Sequence, residues 1–286
     1  MLGPKVKPIL STRAVLPRWI FDCGPCASFP IFARHRKIAR IVLHCPPVRL
    51  QVIVPCYNPP EGWEQVLAAK FAEFRATMAG LVDETGLIVV NDGSVRNATQ
   101  ANFDRLKALA PSVQVVSYVE NRGKGYALRQ GVQASDASWI LVTDADFPYT
   151  FDSMRRVVES LRVYGGIAAG NRDTAYYANV PAFRRRLSQT LRWLLRNVLR
   201  QPIDDSQCGL KGFDQSGKAV FLETSIDRFL FDLEFLMLAH NRVPVRPVPA
   251  ELRPGVAFSK VGWKILATEG GNFLKLFLRQ LLRATT

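Results

Sequence analysis

Hydrophobic and polar residues follow two textures along this chain, and the change between them falls near residue 47. Beyond it, short runs of apolar, mostly β-branched residues are separated by longer stretches in which apolar residues recur every three or four positions. The short runs are read as buried strands and the longer stretches as helices with one apolar face. Strands are predicted at 48–55, 87–90, 113–119, 138–142, 166–170 and about 243–248. Helices are predicted over about 62–79, 99–110, 126–133, 150–164 and 181–200, through 232–236, and over about 263–282. This alternation predicts an α/β protein with a single doubly wound, mostly parallel, Rossmann-like sheet covered by helices on both faces. In such a sheet ligands bind in the crevice beyond the carboxyl ends of the strands. The residues that close each strand are therefore the candidates for chemistry.

Those residues are polar and turn-forming. The first strand closes on Tyr57-Asn58, the second on Asn91-Asp92-Gly93-Ser94, the third on Asn121-Arg122-Gly123-Lys124-Gly125, and the fourth on Asp144-Ala145-Asp146. Side chains at i and i+2 of a strand share a face, so Asp144 and Asp146 are expected to converge on one object. A hard divalent cation with oxygen ligands is the natural candidate; the alternative is a solvated turn acid beside a helix cap. The 121–125 loop lacks the Walker spacing. Its glycines would let backbone approach a ligand, and Lys124 would add a point charge.

At 286 residues the chain can bury a full core. Its 48% hydrophobic and 22% charged residues are ordinary for a globular protein, whereas the net charge of +14 is not. Residues 1–50 hold nine Lys/Arg against one acid, Asp22, which is +8 of that total and leaves +6 for the rest. The excess thus belongs mainly to an extension, 1–46, which argues against nucleic-acid binding as the function. The extension contains Cys23-Gly24-Pro25-Cys26, but no strand pattern precedes it as a redox motif requires. Cys23, Cys26, His35, His44 and Cys45 have gaps that fit no common zinc finger. A loosely ordered basic tail is the reading adopted. No run of 18 apolar residues occurs, and 14–33 is broken by Arg18, Asp22, Gly24 and Pro25 without a signal-peptide layout. An intracellular protein is expected.

Taken together and in order, Val54-Pro55-Cys56-Tyr57-Asn58, Asn91-Asp92-Gly93-Ser94, Asn121-x-Gly123-Lys124-Gly125 and Asp144-Ala145-Asp146 resemble the family-two glycosyltransferases of GT-A fold. The later Gly170-Asn171-Arg172 and Asp205-Ser206-Gln207-Cys208-Gly209-Leu210-Lys211 resemble the branch that glycosylates dolichyl and other polyprenyl phosphates. The resemblance covers about 48–260, within a catalytic domain set at 47–260 and followed by an amphipathic C-terminal helix, 261–286. Two positions depart from the pattern: Pro59-Pro60-Glu61 replaces the usual acidic pair, and Asn91-Asp92 stands where Asp-Asp is common.

The resemblance implies an inverting, metal-dependent hexosyltransferase that uses a UDP- or GDP-sugar. It implies that Pro55, Tyr57, Asn58 and Asp92 line the nucleoside pocket, with Asp92 accepting from the base. Asn121, Gly123 and Lys124 would complete the donor site. Asp144 would lie near ribose and metal, Asp146 would be the principal ligand of Mg²⁺ or Mn²⁺, and Asp205 would sit on the far side of the sugar as a third catalytic carboxylate. An anionic acceptor phosphate needs cations to hold it, for which Arg172, Arg184 and Ser188 are the candidates. Along 181–200, Arg184, Ser188, Arg192, Arg196 and Arg200 form one polar stripe, while Phe183, Leu187, Leu191, Leu194, Leu195 and Val198 lie away from it. Such a helix is expected to lie on anionic lipid, with the run 273–278 as a second shallow contact, giving a peripheral protein on the cytoplasmic face of a membrane. A saccharide acceptor is the alternative.

Overall fold

The computed structural model describes residues 47–172, 205, 208–256, 270–273 and 276. Expectations that concern 1–46, 181–200 and most of 257–286 therefore lie outside the described residues. Seven strands form one sheet in the order β3-β2-β1-β4-β6-β5-β7. The strands are β1 (Arg49–Cys56), β2 (Glu84–Asp92), β3 (Val113–Tyr118), β4 (Trp139–Val142), β5 (Ile167–Arg172), β6 (Lys211–Phe213) and β7 (Val245–Ala250). The helices are α1 (Trp63–Thr77), α2 (Gln100–Leu109), α3 (Lys124–Ala134), α4 (Phe151–Tyr164), α5 (Gln215–Leu222) and α6 (Phe231–Ala239). Every pairing is parallel except those of β6, which runs antiparallel to β4 and to β5.

Both faces of the sheet are covered, which is why the central strands read as near-continuous apolar runs. Val52, Val54, Leu87, Val89 and Leu141 face α1, α2 and α4, where Phe71, Phe74, Leu106 and Val157 pack against them. Their neighbours Ile53, Ile88, Val90, Ile140 and Val142 face α3, α5 and α6, with Leu128, Phe221, Phe231 and Phe235. The chain builds outward from β1 to β3 and returns to the other side of β1 as β4, so the order of strands reverses between β1 and β4. Ligands of open α/β sheets bind at such a reversal.

Two elements were not expected. The strand β6 has three residues, Lys-Gly-Phe, and carries no alternation that a sequence reading would detect. Helix α5 begins at a legible cap, where Asp214 Oδ1 accepts the N–H groups of Ser216 (2.8 Å) and Gly217 (3.1 Å), but it is only eight residues long. One expectation is corrected within the C-terminal segment. Leu276 is buried in the α3/α5/α6 layer and Phe273 packs against it, so these two side chains serve the core and not a lipid surface. Among the described residues no helix is long and apolar enough to cross a membrane.

Candidate active site

The ends of β1 and β2 are locked to each other by side chains that read as ligand contacts in the sequence. Asn58 has φ 45°, a left-handed conformation that asparagine tolerates better than most residues. Its Oδ1 accepts the N–H groups of Val95 (2.9 Å) and Arg96 (3.1 Å), and its own N–H donates to Ser94 Oγ (2.9 Å). The Ser94 N–H donates to Asn91 Oδ1 (3.1 Å). Asn58 therefore shapes the rim, while Tyr57 beside it stands 53% exposed with its ring open to a ligand. Pro55 lies inside β1 opposite Val90, half-buried.

Asp92 is buried, and four donors meet its carboxylate. Tyr118 Oη (2.8 Å) and the Arg122 N–H (2.8 Å) reach Oδ1; Asn121 Nδ2 (2.7 Å) and the Gly123 N–H (2.9 Å) reach Oδ2. Two oxygens offer about four lone-pair sites, so the set is full. Burial, followed by this carboxylate, holds the Tyr118 phenol well above its ordinary value. The expectation that Asp92 accepts from a base is corrected accordingly: it organises the 121–123 loop, and a base would have to displace one of these donors.

The glycines of that loop answer a protein contact. A Cβ at Gly123 would stand 2.6 Å from the Asp227 carbonyl oxygen, and one at Gly125 2.4 Å from that of Ile226 and 2.8 Å from Phe231 Cβ. The segment 226–231 fills the space that the sequence reading assigned to a ligand. Arg129 holds the segment by pairing with Asp227 and donating to the Ile226 carbonyl (2.8 Å).

The two acids of the fourth strand lie just beyond it, because β4 ends at Val142. Asp144 and Asp146 are therefore turn residues, and sharing one face of a strand does not describe them. Asp144 Oδ1 pairs with Lys124 Nζ at 2.6 Å, while Lys70 donates to the Asp146 carbonyl oxygen. Burial pushes the Asp146 carboxyl above the usual carboxylate range, and the nearby charge of Asp144 adds to the effect. Burial pulls the Lys124 ammonium down, but Asp144 and then Asp232 more than offset it and hold it above its ordinary value. Gly209 closes over this pair: a Cβ there would be 3.2 Å from Asp144 Oδ2 and 3.4 Å from Lys124 Nζ. The Gly209 N–H donates to Tyr149 Oη (2.9 Å), which fixes the closure. Asp144 Oδ2 thus borders a space kept clear by a missing side chain, and the Asp146 carboxylate lies close enough to feel the charge of Asp144. Two hard oxygen donors in such a place fit a divalent cation.

On the far side Arg172 and Asp205 meet each other. Arg172 Nε (2.6 Å) and its backbone N–H (3.0 Å) reach Asp205 Oδ2, and Nη2 reaches Oδ1 (2.6 Å). Burial acts to lower the guanidinium's proton affinity, yet its hydrogen bonds and charge pairing with Asp205 raise it well above the ordinary value. Arg172 was expected to bind an acceptor phosphate and Asp205 to act beside the sugar. The structure commits the two to a buried bidentate pair, which takes from Asp205 the freedom a general base needs. Arg184 and Ser188 lie outside the described residues. Sequence reasoning also missed Lys211 and Asp232, which are buried and paired at 2.7 Å behind Lys124. The burial of Lys211 was illegible because the strand that carries it was.

An open, mostly parallel sheet whose strand order reverses between β1 and β4, with an acidic turn at that reversal, places the chain in the doubly wound α/β class, whose ligands bind at such a point. Residues 51–230 match glycosyl transferase family 2, and the chain belongs to that family. It is 31% identical over 216 residues to the dolichyl-phosphate beta-glucosyltransferase of Drosophila melanogaster, a match covering 71% of this chain and 66% of that protein. The chain thus spans slightly less than two thirds of that relative's length. Among solved structures, mannosyl-3-phosphoglycerate synthase from Rubrobacter xylanophilus superposes with a TM-score of 0.56 at 13% identity, covering 84% of this chain and 75% of that one. Glucosyl-3-phosphoglycerate synthase from Mycobacterium tuberculosis, solved with Mn²⁺, UDP-glucose and phosphoglyceric acid, gives 0.51 at 17% identity, covering 82% and 79%. These two share the fold.

Proposed function

We propose that the chain transfers a hexose from a nucleotide sugar to a polyprenyl phosphate of dolichyl type, with inversion, at a membrane surface. The observation that carries this reading is the cluster of Lys124, Asp144 and Asp146 at the reversal of a family-two sheet. The dolichyl-phosphate name of the relative supports the acceptor. Its glucosyl name, with UDP-glucose in a protein of the same fold, makes UDP-glucose the first donor to test.

In the displacement, an acceptor phosphate oxygen attacks the anomeric carbon as the bond to the donor's β-phosphate breaks, and the nucleoside diphosphate leaves. The nucleophile is already anionic, so no strong base is needed and catalysis is mainly positioning and charge neutralisation. Asp146 and Asp144 would hold Mg²⁺ or Mn²⁺, and the ion would supply charge neutralisation for the leaving diphosphate. Lys124 adds a fixed cation at the same place, and Tyr57 offers its exposed ring to the base. Arg184 and Ser188 are assigned to the acceptor phosphate, and the basic stripe along 181–200 to peripheral contact with the cytoplasmic face of a membrane.

Purified protein would be given UDP- and GDP-hexoses with a short-chain polyprenyl phosphate, and nucleoside diphosphate release and glycolipid would be counted together. Equimolar release and product are expected, lost in EDTA and restored by Mn²⁺. Donor consumption that ignores the lipid phosphate and glycosylates a sugar hydroxyl would replace the acceptor reading.

A further inference from the structure

Four charged side chains run inward from the candidate site in alternating sign. Asp144 at the surface pairs with Lys124 at 2.6 Å. Behind them the ammonium of Lys211, on β6, lies 2.7 Å from Asp232 Oδ1 and 2.6 Å from the Cys208 carbonyl oxygen. Lys211 has no exposed side-chain surface, and Asp232 is buried in the first turn of α6. The close approach of Gly125 to Phe231 brings the start of α3 against the start of α6, and both ammonium groups flank residues 208–209: a Cβ at Gly209 would stand 3.4 Å from Lys124 Nζ, and Lys211 Nζ reaches the Cys208 carbonyl oxygen. The strand segment that carries Lys211 also carries Gly209, the residue that closes over Lys124 and Asp144. Burial pushes the Asp232 carboxyl upward, while Lys211 and then Lys124 pull it back.

Burying an ion pair seldom stabilises a fold more than well-packed apolar residues of similar volume would. Packing alone is therefore a weak reason for Lys211 and Asp232 to be where they are. We propose that the Lys211–Asp232 pair is a positioning device for Lys124: anchored by Lys211, Asp232 holds the Lys124 ammonium at the strand ends, where it faces Asp144 and is presented to a diphosphate. Asp232 touches no reacting atom; its effect passes through Lys124. This inference rests on the function proposed above, because it takes Lys124 to be a diphosphate contact.

The test compares Asp232→Asn, Lys124→Met, the double variant Lys211→Met/Asp232→Leu and the wild type. Each is followed by thermal melting and by calorimetric titration with UDP and with GDP in Mn²⁺. Asp232→Asn keeps the shape and the hydrogen bond but removes the charge. It should fold and bind the preferred nucleotide at least tenfold more weakly. The double variant removes both buried charges, so it should melt near the wild type yet show the same weakened binding. Adding Lys124→Met to Asp232→Asn should weaken binding little further, since both act on one contact. Wild-type affinity in Asp232→Asn, or in a double variant that melts normally, would show the pair to be packing only and overturn the proposal. A wild-type chain that binds neither nucleotide would overturn the functional reading instead, and this inference with it.

Discussion

Asp92 and Asp205 lie on opposite flanks of the site, each 3% exposed, and the protein satisfies them in unlike ways. Asp92 is met by a phenol, an amide and two backbone N–H groups, all from a segment 26 to 31 residues away. No cation is among those donors. Asp205 is met by the guanidinium of Arg172, 33 residues away on β5, and by that residue's backbone N–H. The first arrangement orders a loop around a carboxylate and can fail one hydrogen bond at a time. The second balances one buried charge against another, and losing either partner removes a bidentate, charge-assisted contact from the other. The rim at the end of β2 is thus built to be shaped, and the flank at the end of β5 to be held.

The comparison can be broken most forcefully at Arg172. Arg172→Leu takes a bidentate guanidinium away from a buried carboxylate, and should cost about 3–5 kcal/mol by denaturant melting. The double variant Arg172→Leu/Asp205→Leu should recover most of that loss; equal losses in single and double variants would contradict the account of this flank. Asp92→Ala should cost less, about 2 kcal/mol, because it strands neutral donors and not a buried charge, and one of them, the Arg122 N–H, belongs to an exposed residue. Its larger effect should be on the loop itself, seen as faster amide hydrogen exchange over 121–123. Tyr118→Phe removes one of four donors and should cost roughly 1 kcal/mol. Arg242→Ala breaks an exposed pair with Glu223 and should leave the melting temperature unchanged, which calibrates the series.

Much of this was legible in the sequence where chemistry and period agree. The first five strands and four helices follow from runs such as Leu87–Val90 and from the apolar face of 150–164, and the polar residues singled out in the sequence do fall at the ends of those strands. Roles were harder to read than places. Asn58, Asp92, Gly123 and Gly125 have the composition of ligand contacts, yet their partners are the chain itself, from the next loop or from 226–231. A sequence displays which groups need partners and not which partner arrives first. The antiparallel β6 was missed because three residues with a lysine carry no period, and its absence hid the Lys211–Asp232 pair. Arg172 and Asp205 were each singled out, but as separate tools, since a separation of 33 residues gives no sign that they meet.

The most direct test of the central claim, that Asp144 and Asp146 form the cation-dependent heart of a lipid-phosphate glycosyltransferase, is Mn²⁺ titration of wild type and Asp146→Asn in the presence of UDP. It would be followed by electron paramagnetic resonance, with transfer to polyprenyl phosphate measured on the same samples. The account predicts that the wild type binds one Mn²⁺ and forms glycolipid, while Asp146→Asn keeps its fold and loses both. An Asp146→Asn variant that binds Mn²⁺ as the wild type does, or that transfers sugar to the lipid at the wild-type rate in EDTA, would contradict it.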